Sequence, residues 1–183
     1  MSHCRRTADL SSCWIDGFFP RGIDATLFED DNGQVYFASD GGGRVWEMKE
    51  DLSGFAGEGH LITYEKPADG NWTRSSVGQE GVSLFKRNGK YYLTGTAFDQ
   101  GRYNSVAAIS DNICGPYTHW YEAVPCGGGT NYFEDKEGNW WCAFFGNDNQ
   151  APFREMPAIV RVEFSSDGQI PVAPKQPRFV LRE

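Results

Sequence analysis

The sequence has no apolar run near the roughly 20 residues that a helical bilayer span needs, so no membrane partner is expected. Basic clusters are missing too. Seventeen Lys and Arg against twenty-five Asp and Glu leave a formal charge of -8, which argues against a polyanionic nucleic acid as partner. Cysteines stand at 4, 13, 114, 126 and 142, an odd number without a CxxC pair, which excludes a disulfide framework or a zinc knuckle and reads as mostly buried free thiols. His3, His60 and His119 are scattered with no HExxH spacing, so neither a metal site nor a cofactor is expected. The polar start, Met1 to Asp9, lacks the apolar segment of about 7 to 15 residues found in export signals, and the chain is expected to be cytoplasmic if it is complete. Asn71-Trp72-Thr73 fits a glycosylation acceptor but carries little weight without export. No GxSxG elbow occurs. Gly41-Gly42-Gly43 and Gly127-Gly128-Gly129 lack the context of phosphate-cradling motifs and read as loops that allow close backbone approach.

Aromatic residues and glycine are abundant: thirteen Phe, eight Tyr, six Trp and twenty-two Gly in 183 residues. At about 150 residues per domain the length fits one domain, and the composition suits short strands joined by tight turns. Thr26 to Ser39 places apolar stretches on both sides of an acidic turn ending in Asn32-Gly33, which predicts a β-hairpin. The arrangement returns at Val82 to Gly95 around Asn88-Gly89, and at Asn131 to Phe144 around Gly138. The turn glycines are 56 and then 49 residues apart, a period suited to four-stranded propeller blades. Arg44 to Met48 and Tyr103 to Ser110 read as third strands, and Ala158 to Phe164 as a last strand before a Ser166-Asp167-Gly168 turn. No long amphipathic helix is foreseen.

The fold expected is therefore all-β and β-propeller-like, with about three four-stranded antiparallel blades over residues 14–172, an N-terminal extension over 1–13 and a Pro-rich tail over 173–183. Because known propellers close with at least four blades, the ring is expected to be partial, or completed by a copy of the chain or by blades on another chain.

Asp24 and Glu80 occupy equivalent places, each just before the first strand of its hairpin, where a propeller's inner strands converge on the axis. Two acids so placed have the pattern of converging catalytic carboxylates. The competing reading is that acids are common at strand starts. Glu29, Asp30, Asp31, Glu134, Asp135 and Glu137 sit inside turns, where turn chemistry and solubility explain them. Arg154 is equally suited to donate a fork of hydrogen bonds to sugar hydroxyls or a carboxylate, or to pair with Glu155. Among Trp14, Trp46, Trp72 and Trp120, one or two are candidates for a sugar-stacking platform, Trp14 foremost, with core packing as the alternative role.

Several segments, in order, resemble glycoside hydrolase family 43, five-bladed propeller enzymes that attack arabinosides and xylosides. Gly22-Ile23-Asp24-Ala25-Thr26-Leu27-Phe28 through Gly33 resembles a blade opening around the acid that tunes its partner. Glu80-Gly81-Val82 with Asn88-Gly89-Lys90-Tyr91-Tyr92-Leu93 resembles the general-acid segment. Ser110 to Tyr117 resembles a strand-ending signature, and Gly138-Asn139-Trp140-Trp141 with Arg154-Glu155 resembles later elements. The resemblance implies that Glu80 protonates the leaving glycosidic oxygen, that Asp24 holds it in position and favours its protonated form, and that a third carboxylate activates water for inversion. It implies a small carbohydrate or plant-type oligosaccharide as ligand, with arabinosides or xylosides as the substrates. The family's base lies upstream of the Asp24 segment, and the 23 residues before Asp24 are too few for two blades, so only the last three blades are resembled and the base is expected to be missing from this chain. Ala25 and Val82 stand where the family has proline, and Gly129-Thr130-Asn131 stands where it has the histidine that helps hold a central ion. The alternative is a noncatalytic carbohydrate-binding or structural β-propeller fragment.

Overall fold

The structure is a computed structural model describing residues 23–39, 43–65, 76–99, 101–147 and 156–171. Eleven strands form three antiparallel sheets. The first joins β1 (Thr26–Glu29), β2 (Val35–Ser39), β3 (Arg44–Glu47) and β4 (His60–Leu61) in sequence order. The second joins β5 (Glu80–Arg87), β6 (Lys90–Asp99), β7 (Arg102–Ser110) and β8 (Tyr121–Val124), again in order. The third has three strands among the described residues, β9 (Gly128–Glu134), β10 (Trp140–Phe145) and β11 (Pro157–Val162), with β10 in the middle. The all-β, blade-like reading of the sequence is borne out. The segment 127–129, read as a loop, instead opens β9 from Gly128 onward.

Turn chemistry sets the registers. Asn88 and Gly89 both adopt positive φ, 50° and 77°, and close a two-residue hairpin in which Arg87 faces Lys90. The turns at Asp30–Gln34, Asp135–Asn139 and Ser165–Gln169 use a longer form, in which the glycine amide bonds the first carbonyl and that first residue's amide bonds the last carbonyl. Each needs a left-handed residue in fourth place, supplied by Gly33, Gly138 and Gly168.

The second sheet lies between the other two, and its sequence shows why. Leu84, Leu93, Val106 and Ala108 alternate with Phe85, Tyr92, Ala107 and Ile109, so both faces are apolar. The first set packs with Ala38 and Val45 of the first sheet. The second packs with Tyr132, Cys142, Phe144 and Val162 of the third. Phe85 centres an aromatic cluster, stacking on Tyr92 at 4.7 Å and on Tyr132 at 5.1 Å between ring centroids. The outer sheets bury one face each, and their far faces leave Leu27 and Leu61, and Phe133 and Ile159, exposed. Contacts run from β1 to β5 and from β5 to β9, so the first strands of the three sheets lie side by side.

Polar contacts join the sheets as well. Lys86 Nζ donates to Asp30 Oδ1 at 2.6 Å and pairs with Asp31 at 2.9 Å, while Tyr91 donates to Asp30 Oδ2 at 2.6 Å. Burial opposes the charge on Asp30, but the hydrogen bonds from Lys86 and Tyr91 outweigh it and hold the carboxyl below its ordinary value. Asp30 is thus an inter-sheet anchor, not merely the turn and solubility residue expected. The strand-ending segment after β7 does similar work: Tyr117, fully buried, donates its amide to Thr63 O, and Thr63 N returns a bond to Cys114 O. Of the thiols expected to be mostly buried, Cys142 is buried and Cys114 and Cys126 are half-buried, while Cys4 and Cys13 lie outside the described residues. Burial pushes the Cys142 thiol up to about 12 despite a hydrogen bond with Tyr132 that acts the other way.

Candidate active site

Where the first strands of the three sheets begin, a cleft of about 590 Å³ opens. Asp24 and Glu80 both line it, together with Thr26, Tyr103, Asn131 and Phe145. They are the two carboxylates among its described lining residues.

Each acid is held by the backbone around it. Asp24 stands just before β1 with φ of 53°, a left-handed conformation that Asp tolerates better than most residues, and its Oδ2 accepts from Gly81 N at 3.1 Å. That bond ties the first acid to the residue after the second. Glu80 opens β5 directly before a bulge: it faces Thr96, whereas Ser83 faces Thr94, so β5 holds one residue more than β6 over that stretch. Gly81 makes the bulge possible. Its φ is 67°, and a Cβ there would lie 2.7 Å from Thr96 Oγ1.

Tyr103, on β7, donates from its hydroxyl to Glu80 Oε1 at 2.7 Å. Its ring is buried and held between Phe98 and Phe145, at 5.8 and 5.5 Å between centroids. Burial raises the Tyr103 hydroxyl pKa well above its ordinary value, and the hydrogen bond to Glu80 and the negative charge of Glu80 add to the rise. The phenol is therefore a proton-bearing donor throughout the neutral range.

In the third sheet, Gly129 stands as far before its turn glycine as Asp24 and Glu80 stand before theirs. Its φ is 57°, and its amide donates to Thr96 Oγ1 at 2.8 Å. β9 also carries an extra residue here, since Asn131 faces Ala143 and Gly128 faces Phe145. Tyr103 and Thr96 were not legible as site residues, because their meeting with Glu80 and Gly129 depends on two bulges and on sheet stacking. The shared spacing to the turn glycines is a signal that locates Gly129.

At Gly129-Thr130-Asn131, where the resembled family has the histidine that helps hold a central ion, the residues present do not fit that group. Thr130 Oγ1 is buried and paired with Ser105 Oγ at 3.3 Å, and Ser105 Oγ also meets the Tyr132 hydroxyl at 3.2 Å. This is a neutral hydroxyl network rather than a set of charged donors. Among the described residues no three His, Cys, Asp or Glu side chains come together. Trp14 and Arg154 lie outside the described residues, as does Trp72. Trp46 packs on Phe37 and Phe55 at the far face of the first sheet, while Trp120 is half-buried beside the second-sheet core.

Comparison with solved structures matches this fold. The GH43 BlXynB protein from Bacillus licheniformis is 23% identical over 81% of this chain and 31% of its own, with a TM-score of 0.61. A bifunctional GH43-CE protein from Bacteroides eggerthii is 25% identical over 87% of this chain and 21% of its own, at 0.64. CoXyl43, a GH43 β-xylosidase/α-arabinofuranosidase from a compost microbial metagenome in complex with xylotriose, is 19% identical over 83% and 58%, at 0.65. The chain thus spans less than two thirds of the length of each. A search of the curated proteins finds no match. The model of the glycosyl hydrolases family 43 matches residues 13–170, so the ordered resemblance of blade opening, acid segment and strand-ending signature reflects membership: this chain belongs to glycosyl hydrolases family 43.

Proposed function

We propose that this chain carries part of the active site of a glycoside hydrolase acting on arabinosides or xylosides with inversion at the anomeric carbon. Glu80 is the general acid. Its proton passes to the leaving glycosidic oxygen as the bond to the anomeric carbon breaks, while water attacks from the opposite face and gives its proton to a third carboxylate. Asp24 is the acid that positions Glu80, through the Gly81 amide it accepts. The base comes from outside the described residues, on this chain or on another that completes the ring. A second copy or a companion chain is the partner proposed, and Trp14 and Arg154 are proposed to contact the sugar. The CoXyl43 complex with xylotriose supports a xylo-oligosaccharide as one ligand.

The observation that carries this reading is that two acids from equivalent places in adjacent sheets line a single cleft. The test is hydrolysis of arabinosides and xylosides with good and poor leaving groups by the wild type and by Glu80→Gln. The expected outcome is a loss of about 10²- to 10⁴-fold on poor leaving groups and a much smaller loss on activated aryl glycosides. Turnover unaffected by Glu80→Gln would remove the acid assignment. Sugar binding with no hydrolysis by the wild type would favour the noncatalytic carbohydrate-binding reading.

A further inference from the structure

Three places around the cleft are equivalent, each nine residues before the turn glycine of its hairpin: Asp24 before Gly33, Glu80 before Gly89 and Gly129 before Gly138. Two of them carry carboxylates and the third carries no side chain. The room left at the third is taken by the ring of Phe145, which comes from β10. A Cβ on Gly129 would lie 2.5 Å from Cε1 and 3.0 Å from Cδ1 of that ring. The ring also meets Tyr103, 5.5 Å away between centroids and tilted by 53°. Of the two aromatic residues among the described lining of the cleft, Tyr103 is buried, whereas Phe145 is 36% exposed. Packing against Tyr103 does not require that open face. The open face lies in the same cleft as the hydrogen-bonding groups of Asp24, Glu80, Thr26, Asn131 and Asn147. An apolar surface beside polar side chains suits a sugar, whose C–H bonds and hydroxyls must both be met.

We propose that Phe145 is a stacking platform for a xylopyranosyl unit bound in this cleft. This rests on the reading of the cleft as a glycoside site. A pyranose with every hydroxyl equatorial turns a flat set of axial C–H bonds to each side, and that face lies on an aromatic ring without trapping a polar group against it. An arabinofuranose is puckered and carries hydroxyls on both sides of its ring, so less of it lies flat. The β9 backbone and Tyr103 fix the Phe145 ring before a sugar arrives, which lowers the ordering cost of binding. The Tyr103 hydroxyl bonds Glu80 Oε1 at 2.7 Å, so the platform and the acid share a neighbour. A sugar on the ring is thereby placed beside the carboxyl that would act on its glycosidic bond.

The test is an NMR titration of xylotriose, and separately of arabinotriose, into Glu80→Gln, chosen to slow cleavage, and into the same protein carrying Phe145→Tyr or Phe145→Leu. Xylotriose should shift the Phe145 ring protons, and its own C–H protons should move upfield over the ring. Phe145→Tyr keeps the ring and should bind xylotriose within about twofold of the parent. Phe145→Leu keeps apolar bulk against Tyr103 but loses the ring, and should bind about three- to tenfold more weakly, with the upfield shift gone and arabinotriose affected less. Equal xylotriose affinity in Phe145→Leu, or bound xylotriose with the Phe145 ring unmoved, overturns the platform. An equal loss for arabinotriose overturns the choice of sugar. If the substituted proteins do not fold, the ring shift in the parent decides. Xylotriose stacked on Phe145 in a wild type that hydrolyses no glycoside refutes the hydrolase reading and leaves the platform standing. Wild-type hydrolysis with xylotriose binding indifferent to Phe145 does the reverse, and failure of both sugars to bind refutes the platform together with the sugar site.

Discussion

Gly81, Gly128 and Gly129 shape the cleft because no other residue fits the space or the backbone they occupy. Gly81 and Gly129 hold positive φ, and a Cβ on Gly129 would come within 2.5 Å of the Phe145 ring. Gly128→Ala is the cleaner probe, since its φ is not in the left-handed region and the cost is purely one of space. The new methyl must displace Tyr103 or Thr96, with an expected loss of about 1–3 kcal/mol in denaturant unfolding and a shift of the Tyr103 ring signals in NMR. A second residue-scale effect concerns Asp135. The indole of Trp141 donates to its Oδ2 at 2.7 Å, and the Asn139 and Glu137 amides donate to Oδ1 at 2.8 and 3.0 Å. Those bonds, the Trp141 one foremost, lower its pKa to about 2. A depressed folded-state pKa stabilises the fold above the unfolded value near 3.8, and that contribution is lost as pH falls toward 2. The melting temperature of the wild type should therefore fall more steeply than that of Asp135→Asn between about pH 5 and pH 2. Parallel curves would contradict the role given to this carboxylate.

At the scale of the element, the second sheet carries most of the core because both of its faces are covered. β7 is buried along nearly its whole length, and Leu93 on β6 is fully buried toward the first sheet. Leu93→Ala should cost about 2–5 kcal/mol in denaturant unfolding, more than Leu27→Ala on the open face of the first sheet, where the side chain is 59% exposed. Hairpins were the most legible elements, since Asn-Gly and acidic-Gly turns between apolar runs are local signals. The short strands β4 and β8 were not legible. His60–Leu61 has only two residues and Tyr121–Val124 four, too few to display a period, and both exist because a neighbouring strand offers unpaired backbone groups. Asp24 and Glu80 could be picked out because each precedes a recognisable hairpin. Thr96 lies inside β6 and Tyr103 is the second residue of β7, and nothing local distinguishes them from core residues until the bulges of β5 and β9 turn the strand ends toward each other.

For the whole molecule, the repeated spacing of turn glycines was enough to foresee blades, and the ordered segments were enough to foresee the family. How those blades meet was not legible, because it depends on side chains far apart in sequence, such as Asp30 with Lys86 and Tyr91. The two outer sheets turn apolar residues outward on opposite sides of the stack, Leu27 and Leu61 on one and Phe133 and Ile159 on the other. The most direct measurement is a crystal structure of Glu80→Gln in its assembled state with a bound arabino- or xylo-oligosaccharide. The expected result is a glycosidic oxygen about 3 Å from the residue-80 side chain, with a third carboxylate about 6.5–9.5 Å from it across the anomeric carbon. A sugar seated away from the Asp24–Glu80 cleft, or seated in it with no carboxylate on the opposite face, would contradict an inverting hydrolase.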